Sequence, residues 1–354
     1  MTAPRMKAVL VLFSLFILLP SGFASALPWY GLDTARGLPA ARDAKRPLIN
    51  GTFIQLVDEH NGWSRARWER LFDAFKAIGL NQIVVQWSQL DSTAFYTVGP
   101  PGAAPPPIET ILQLAQQGGM EVHLGLVAES RYWEMIKQAP TGQEQYLERL
   151  RLKSEAVARH VSPIASRYTA FKGWYIPEEI DDFTWRPPAS KRLLYRHLKQ
   201  LSASLKKTIP GTAVTLSCFC NARMDPAGYE EFWRDLLRET SIDAILFQDA
   251  AGGGKLPPDL LPLYLKAARS AADANRKKLQ VIVELFTMVS ESPFKAIPAP
   301  FQRLRLQLQT AAEFASGGIN SFSVPDYMSP EGSAAARELY DSYLKYRSDS
   351  APLI

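Results

Sequence analysis

The chain has 354 residues, 47% of them hydrophobic and 21% charged, a globular composition that excludes a disordered, collagen-like or disulfide-scaffold protein. Its net charge of +5 is spread along predicted helices instead of forming basic blocks, so it gives no footprint for nucleic acid. Two cysteines are too few for a disulfide framework or a thiolate zinc site.

Arg5 and Lys7 precede the apolar run from Ala8 to Leu19, and Ala24-Ser25-Ala26 follows as a small-x-small cleavage signature. This pattern predicts a secretory signal peptide over residues 1–26, cut after Ala26, because the run is too short to span a bilayer comfortably. Cleavage removes Arg5 and Lys7 and takes the charge from +5 to +3. The mature protein is then periplasmic or secreted, with no stable membrane insertion. A Pro- and Gly-containing lead-in (residues 27–47) comes next, followed by one domain over 48–347 and a tail of 348–354.

Within that domain, short apolar runs alternate with segments of helical period. The predicted strands are Ile49–Val57, Gln82–Leu90, Glu121–Ala128, Gly173–Ile180, Ala213–Cys220, Ala244–Gln248, Leu279–Phe286 and Ile319–Val324. Amphipathic stretches such as Tyr195-Leu198-Leu201-Leu205 lie between them. Asp225-Pro226 and Ser329-Pro330 have the form of an N-cap followed by proline at the first helical position. Gly79, Gly118-Gly119 and Gly317-Gly318 stop helical runs. Eight successive β-α units with right-handed crossovers predict an α/β fold, a single (β/α)₈ TIM barrel. The first strand ends Gln55-Leu56-Val57-Asp58-Glu59-His60, without the glycine-rich loop of a doubly wound nucleotide-binding sheet.

Function in such a barrel sits at the C-terminal ends of the strands. There Glu284 interrupts the apolar run Val281-Ile282-Val283-Glu284-Leu285-Phe286, and a second acidic group ends Gly173-Trp174-Tyr175-Ile176-Pro177-Glu178-Glu179. A buried carboxylate is costly unless it is hydrogen-bonded or used. Strand alternation puts Glu179 on the face opposite Trp174 and Ile176, which points it inward, while a bulge at Pro177 would favour Glu178 instead. Carboxylates on the fourth and seventh strands lie across the mouth, and about 5–5.5 Å between them is the spacing of a retaining glycosidase pair. Trp63, Trp87, Trp133 and Trp185 fall near the ends of the first four strands and are candidate sugar platforms. Gln55, Gln86, Asn221, Gln248 and Asp249 are candidate donors and acceptors for hydroxyls, and Tyr327 adds an aromatic after the eighth strand.

These blocks carry a resemblance. Gly51-Thr52-Phe53-Ile54-Gln55, the fourth-strand block through Glu179-Ile180-Asp181, Gln248-Asp249, Glu284-Leu285-Phe286 and Tyr327-Met328-Ser329-Pro330 resemble the bacterial family designated domain of unknown function 4434. The resemblance implies a glycosidase-like TIM barrel similar to the retaining clan A enzymes, with the family's two glutamates matching Glu179 (acid/base) and Glu284 (nucleophile). In that clan Asn commonly precedes the acid/base, whereas Glu178 stands there in this chain.

The sequence thus predicts a retaining hydrolase of an oligo- or polysaccharide. The alternative is a non-catalytic glycan-binding or exopolysaccharide-assembly protein on the same scaffold. No cofactor is expected and no metal site, since His60, His123, His160 and His197 fall in unrelated elements. No Gly-x-Ser-x-Gly elbow is present. Asp181 and Asp182 are expected to cap or brace a loop, Asp249 could be an Asx-turn residue before Gly252-Gly253-Gly254, and Cys218 and Cys220 are expected as buried thiols.

Overall fold

The computed structural model describes residues 46–98 and 105–349. The predicted signal segment, most of the lead-in, residues 99–104 of the Pro- and Gly-rich stretch and residues 350–354 of the tail lie outside the described residues.

Eight parallel strands close into a barrel in sequence order. They are β1 (Gly51–Ile54), β2 (Gln82–Val85), β3 (Glu121–Gly125), β4 (Phe171–Ile180), β5 (Ala213–Cys218), β6 (Ala244–Gln248), β7 (Lys278–Glu284) and β8 (Ile319–Phe322). Gly51 stands opposite both Gln82 and Asn320, which joins the last strand to the first. Each strand is followed by one long helix: α1 (Arg65–Ala77), α2 (Pro107–Gly118), α3 (Pro140–Ala165), α4 (Pro188–Thr208), α5 (Pro226–Glu239), α6 (Leu261–Ala274), α7 (Phe301–Phe314) and α8 (Ala334–Ser348). The chain therefore has the (β/α)₈ fold that the alternation of apolar runs and amphipathic segments predicts.

Strands buried on both faces need continuous apolar sequence, and the two faces feed two layers of core. Phe53, Val84, Tyr175, Leu246, Ile282 and Phe322 fill the barrel interior. Trp174, Ile176, Val281 and Val283 face outward and pack in the layer that holds the helices. The ends of the helices follow local chemistry. Asp225 accepts from Gly228 N at the start of α5, and Gly119 closes α2 with φ +67°. The Ser329-Pro330 cap is a correction: α8 begins at Ala334, with Ser333 accepting from Ala336 N.

Two departures shape the mouth. The predicted strand ending at Phe286 instead stops at Glu284, and an antiparallel hairpin follows, Phe286–Glu291 against Phe294–Pro298. Further, β4 is irregular where it meets β5. Ile176 pairs with Leu216 and Ile180 with Cys218, so four steps along β4 match two along β5. The surplus backbone carries Pro177, Glu178 and Glu179.

Candidate active site

Glu179 and Glu178 illustrate the alternation of a strand. The Glu179 Oε1 accepts from the Gln248 Nε2 of β6 at 2.9 Å, across the barrel mouth. Its Oε2 is buried and has no hydrogen-bond partner among the described residues. Glu178 turns the other way and meets His197 Nε2 of α4 at 3.1 Å, with both side chains buried. A two-residue surplus leaves the strand's parity unchanged, and so Glu179 keeps the inward side that it shares with Tyr175. Burial pushes the Glu179 carboxyl up to about 7. The negative charges of Glu284 and Asp181 add to that rise, while the Gln248 hydrogen bond and Lys255 oppose it.

Glu284 ends β7 and is only 3% exposed. Its Oε2 accepts two backbone N–H bonds, from Gly252 at 2.6 Å and Gly253 at 2.9 Å. Glycine is required at 252 by close approach, since a Cβ there would lie 2.4 Å from Phe286 O and 2.8 Å from Glu284 Oε2. Burial raises the Glu284 pKa, and the two N–H bonds, Arg303 and Lys255 resist that rise.

Behind Glu284 lies a bracing network. Asp249 accepts from Ala251 N at 3.1 Å, Glu284 N at 3.2 Å and Gln307 Nε2 at 2.6 Å. Arg303 Nη2 donates to the Glu284 carbonyl at 3.2 Å. Burial, then the nearby Glu284 charge, raises the Asp249 pKa. Asp249 is thus occupied in holding the backbone of β7 and the Gly252–Gly253 turn, a correction to its expected role as a sugar ligand.

A narrow cleft opens beside Glu284. Glu284, Gln248, Lys255, Phe219, Phe286 and Phe294 line part of it. A second, smaller cleft reaches Glu179 from the side of Tyr132 and Trp133. Tyr327 is half-buried, its ring centroid 5.3 Å from that of Phe286, and burial, then the charges of Asp326 and Glu284, raise the pKa of its phenol.

The remaining expected residues separate. Gln55 is half-buried just beyond β1, and Gln86 is buried just beyond β2 with its Oε1 unpartnered among the described residues. Trp87 is a correction: it is 1% exposed, and its indole N–H donates to Leu56 O at 2.6 Å, behind the strand. Trp133 and Trp185 are also buried, and Trp63 packs against His60 and Trp68, so the four tryptophans are not a row of sugar platforms. The aromatic wall beside Glu284 comes instead from Phe219, Phe286 and Phe294. Asn221 is bound through its backbone N–H to Asp182 Oδ1 at 2.7 Å, and its side-chain Nδ2 is buried without a partner among the described residues.

Asp181 accepts from Thr184, and Asp182 gathers the N–H groups of Asn221, Arg223 and Met224, so both brace loops. Cys218 and Cys220 are buried free thiols. Among the described residues no three His, Cys, Asp or Glu side chains converge as a metal site. The features that sequence reasoning missed are Gly252, Gly253, Lys255, Arg303, Gln307 and His197. Only the triple glycine gave a signal, and it reads equally well as a turn.

The profile of the family described as Domain of unknown function (DUF4434) matches residues 49–334, and the chain belongs to that family. Uncharacterized protein YbcH of Escherichia coli (strain K12) is 28% identical over 259 residues, covering 71% of this chain and 81% of that one. Among solved structures, a proposed alpha-L-fucosidase from Bacteroides thetaiotaomicron VPI-5482 superposes with a TM-score of 0.70 at 21% identity. It covers 86% of this chain and 97% of its own. The endo-beta-1,4-mannanase from Thermotoga petrophila gives 0.57 at 12% identity, over 88% and 79%. These likenesses establish a glycosidase-like TIM barrel.

Proposed function

We propose that this DUF4434 member is a retaining glycoside hydrolase acting on an oligo- or polysaccharide, secreted or periplasmic as its N-terminal signal pattern suggests. The observation that carries the reading is a pair of buried carboxylates at the ends of β4 and β7, joined through Gln248, which donates to Glu179 and lines the cleft of Glu284, and held in contrasting surroundings. The glycosidase-like fold supports a carbohydrate substrate.

Glu179, whose carboxyl is pushed up to about 7, carries the proton and gives it to the leaving oxygen. Glu284, its charge held by two N–H donors, attacks the anomeric carbon as that bond breaks, forming a glycosyl ester. Glu179, now a carboxylate, takes a proton from water, and the water oxygen displaces Glu284 from the same carbon. Both carboxyls return to their starting states and the configuration is retained. Gln248 orients Glu179, while Gln55, Gln86, Asn221 and Tyr327 are the remaining candidates for contacts to the sugar.

The test is turnover of a glycan panel by the wild type, Glu179→Gln and Glu284→Gln. The reading expects both variants to lose hydrolysis while keeping their melting behaviour at neutral pH or improving it. Wild-type rates in both variants would overturn it. Glycan binding with no turnover in any of the three would support the non-catalytic alternative.

A further inference from the structure

One cation at the mouth is given no task by the two-glutamate scheme. Lys255 lies two residues after Gly253 and lines the same cavity as Glu284 and Gln248. Its place relative to Glu284 is marked by Gly253. An atom added there as a Cβ would sit 3.6 Å from Lys255 Cγ, 3.8 Å from Lys255 Cε and 4.0 Å from Glu284 Oε2. The lysine stem and the carboxylate therefore flank the same small space. The ammonium also lies 5.1 Å from the centroid of the Phe219 ring, a cation–π contact that steers it over the cavity wall.

We propose that Lys255 is a positioning residue, the shared counter-ion of Glu179 and Glu284, which keeps the charge of the mouth balanced as the negative charge passes from one carboxylate to the other. The inference rests on the hydrolase reading above for its catalytic consequence. In the resting site the charges are Glu179–COOH, Glu284 carboxylate and Lys255 ammonium, which sum to zero. In the glycosyl-enzyme they are Glu179 carboxylate, the neutral Glu284 ester and Lys255 ammonium, again zero. The sum over these three groups is therefore the same at both stages, although each carboxylate is charged in turn.

The surroundings agree. Lys255 favours the charged form of both Glu179 and Glu284. Burial lowers its own pKa, and Glu179, Glu284, Glu291 and Asp181 oppose that. The other groups bearing on the pair are Arg303 and Asp249 beside Glu284, with Tyr327 after β8. Tyr175 of β4, Cys218 of β5 and Tyr132 adjoin Glu179. The alternation of charge also accounts for a half-buried lysine beside two carboxylates that must not both be permanently paired. A counter-ion shared between them stabilises whichever is ionised.

The experiment compares the wild type, Lys255→Met and Lys255→Arg. Two readouts are used: carboxyl titration followed by infrared difference spectroscopy, with Glu179→Gln assigning the Glu179 band, and the pH profile of kcat/KM on whichever glycan is turned over. Lys255→Met should raise the Glu179 titration midpoint by about one pH unit or more, as loss of a nearby opposite charge does. Both limbs of the pH profile should move up with it, because Glu284 also becomes harder to ionise. Lys255→Arg should restore the positions of the limbs. A lysine that merely packs would lower the amplitude at every pH and leave the midpoint in place, and an unmoved midpoint in a folded Lys255→Met protein overturns the proposal. The titration needs no substrate. A wild type that turns over nothing would count against hydrolysis alone, and an unmoved midpoint in an active enzyme would count against Lys255 alone.

Discussion

The ends of β4 and β7 each present one glutamate to the barrel mouth, and they hold it in opposite ways. At β4 the carboxyl is held by a single neutral amide, Gln248, and one of its oxygens has no partner among the described residues. At β7 the carboxyl accepts two backbone N–H groups from a glycine turn that is itself braced by Asp249, Gln307 and Arg303. The first environment favours the protonated form and leaves the group free to exchange its proton. In the second, burial also raises the carboxyl, but two N–H donors and nearby cations oppose that rise and fix the oxygen in place. Under the proposed reading, two side chains of one chemical type take the roles of acid and nucleophile from the surroundings that hold them.

The comparison is broken most severely at β7. Glu284→Gln removes the attacking oxygen and should lower kcat on the order of 10⁴-fold or more. Azide added to Glu284→Ala should restore turnover and give a glycosyl azide of inverted configuration, observable by NMR.

At β4 the loss should be smaller, about 10²- to 10⁴-fold for Glu179→Gln, and least for substrates whose leaving group needs no proton. The same change sharpens the contrast thermodynamically. The Glu179 carboxyl titrates at about 7 in the fold against an ordinary 4.5. The fold therefore binds this proton more tightly than the unfolded chain does. That contribution is complete below the ordinary pKa and is lost as pH rises through the folded one. Glu179→Gln should be more stable than the wild type at about pH 8, by up to about 3 kcal/mol, with the gap closing toward about pH 5 in denaturant titrations. A stability gap between variant and wild type that is the same at both pH values would contradict the assignment of the raised carboxyl to β4.

Gly252→Ala attacks the cradle and leaves the glutamate in place. Its Cβ would meet Phe286 O and Glu284 Oε2 inside contact distance, so either the turn or the carboxylate must shift. A displacement near 1 Å costs about 10²-fold in rate, and kcat should fall while far-UV circular dichroism stays the same. The smallest expected effect lies outside both walls. Trp87→Phe should leave KM and kcat within about twofold and lower stability by about 1–2 kcal/mol, since the indole serves the core and the Leu56 carbonyl.

The barrel itself was legible because each strand is a short apolar run punctuated by Gly, Pro or polar residues, and each helix repeats its apolar face. Strands as short as Gly51–Ile54 could be recognised this way, since burial on both faces leaves no polar gap. The hairpin at 286–298 escaped because its first residue continues the apolar run of β7. Parity explains the misplaced side chains. Gln86 and Trp87 are neighbours, as are Gln248 and Asp249, and consecutive strand residues point to opposite sides. Only the first of each pair faces the mouth, so Trp87 goes to the core and Asp249 to the bracing network. The same rule, applied along β4, separates Glu179 from Glu178. The cradle of Glu284 and the approach of Lys255 depend on loop geometry between β6 and α6, for which no periodicity gives a signal.

The most direct test of the paired-glutamate account is the configuration of the first sugar released, followed by ¹H NMR before mutarotation, on the glycan that the wild type cleaves fastest. The account predicts that the product first appears with the anomeric configuration of the substrate bond. Initial release of the opposite anomer would contradict a covalent role for Glu284.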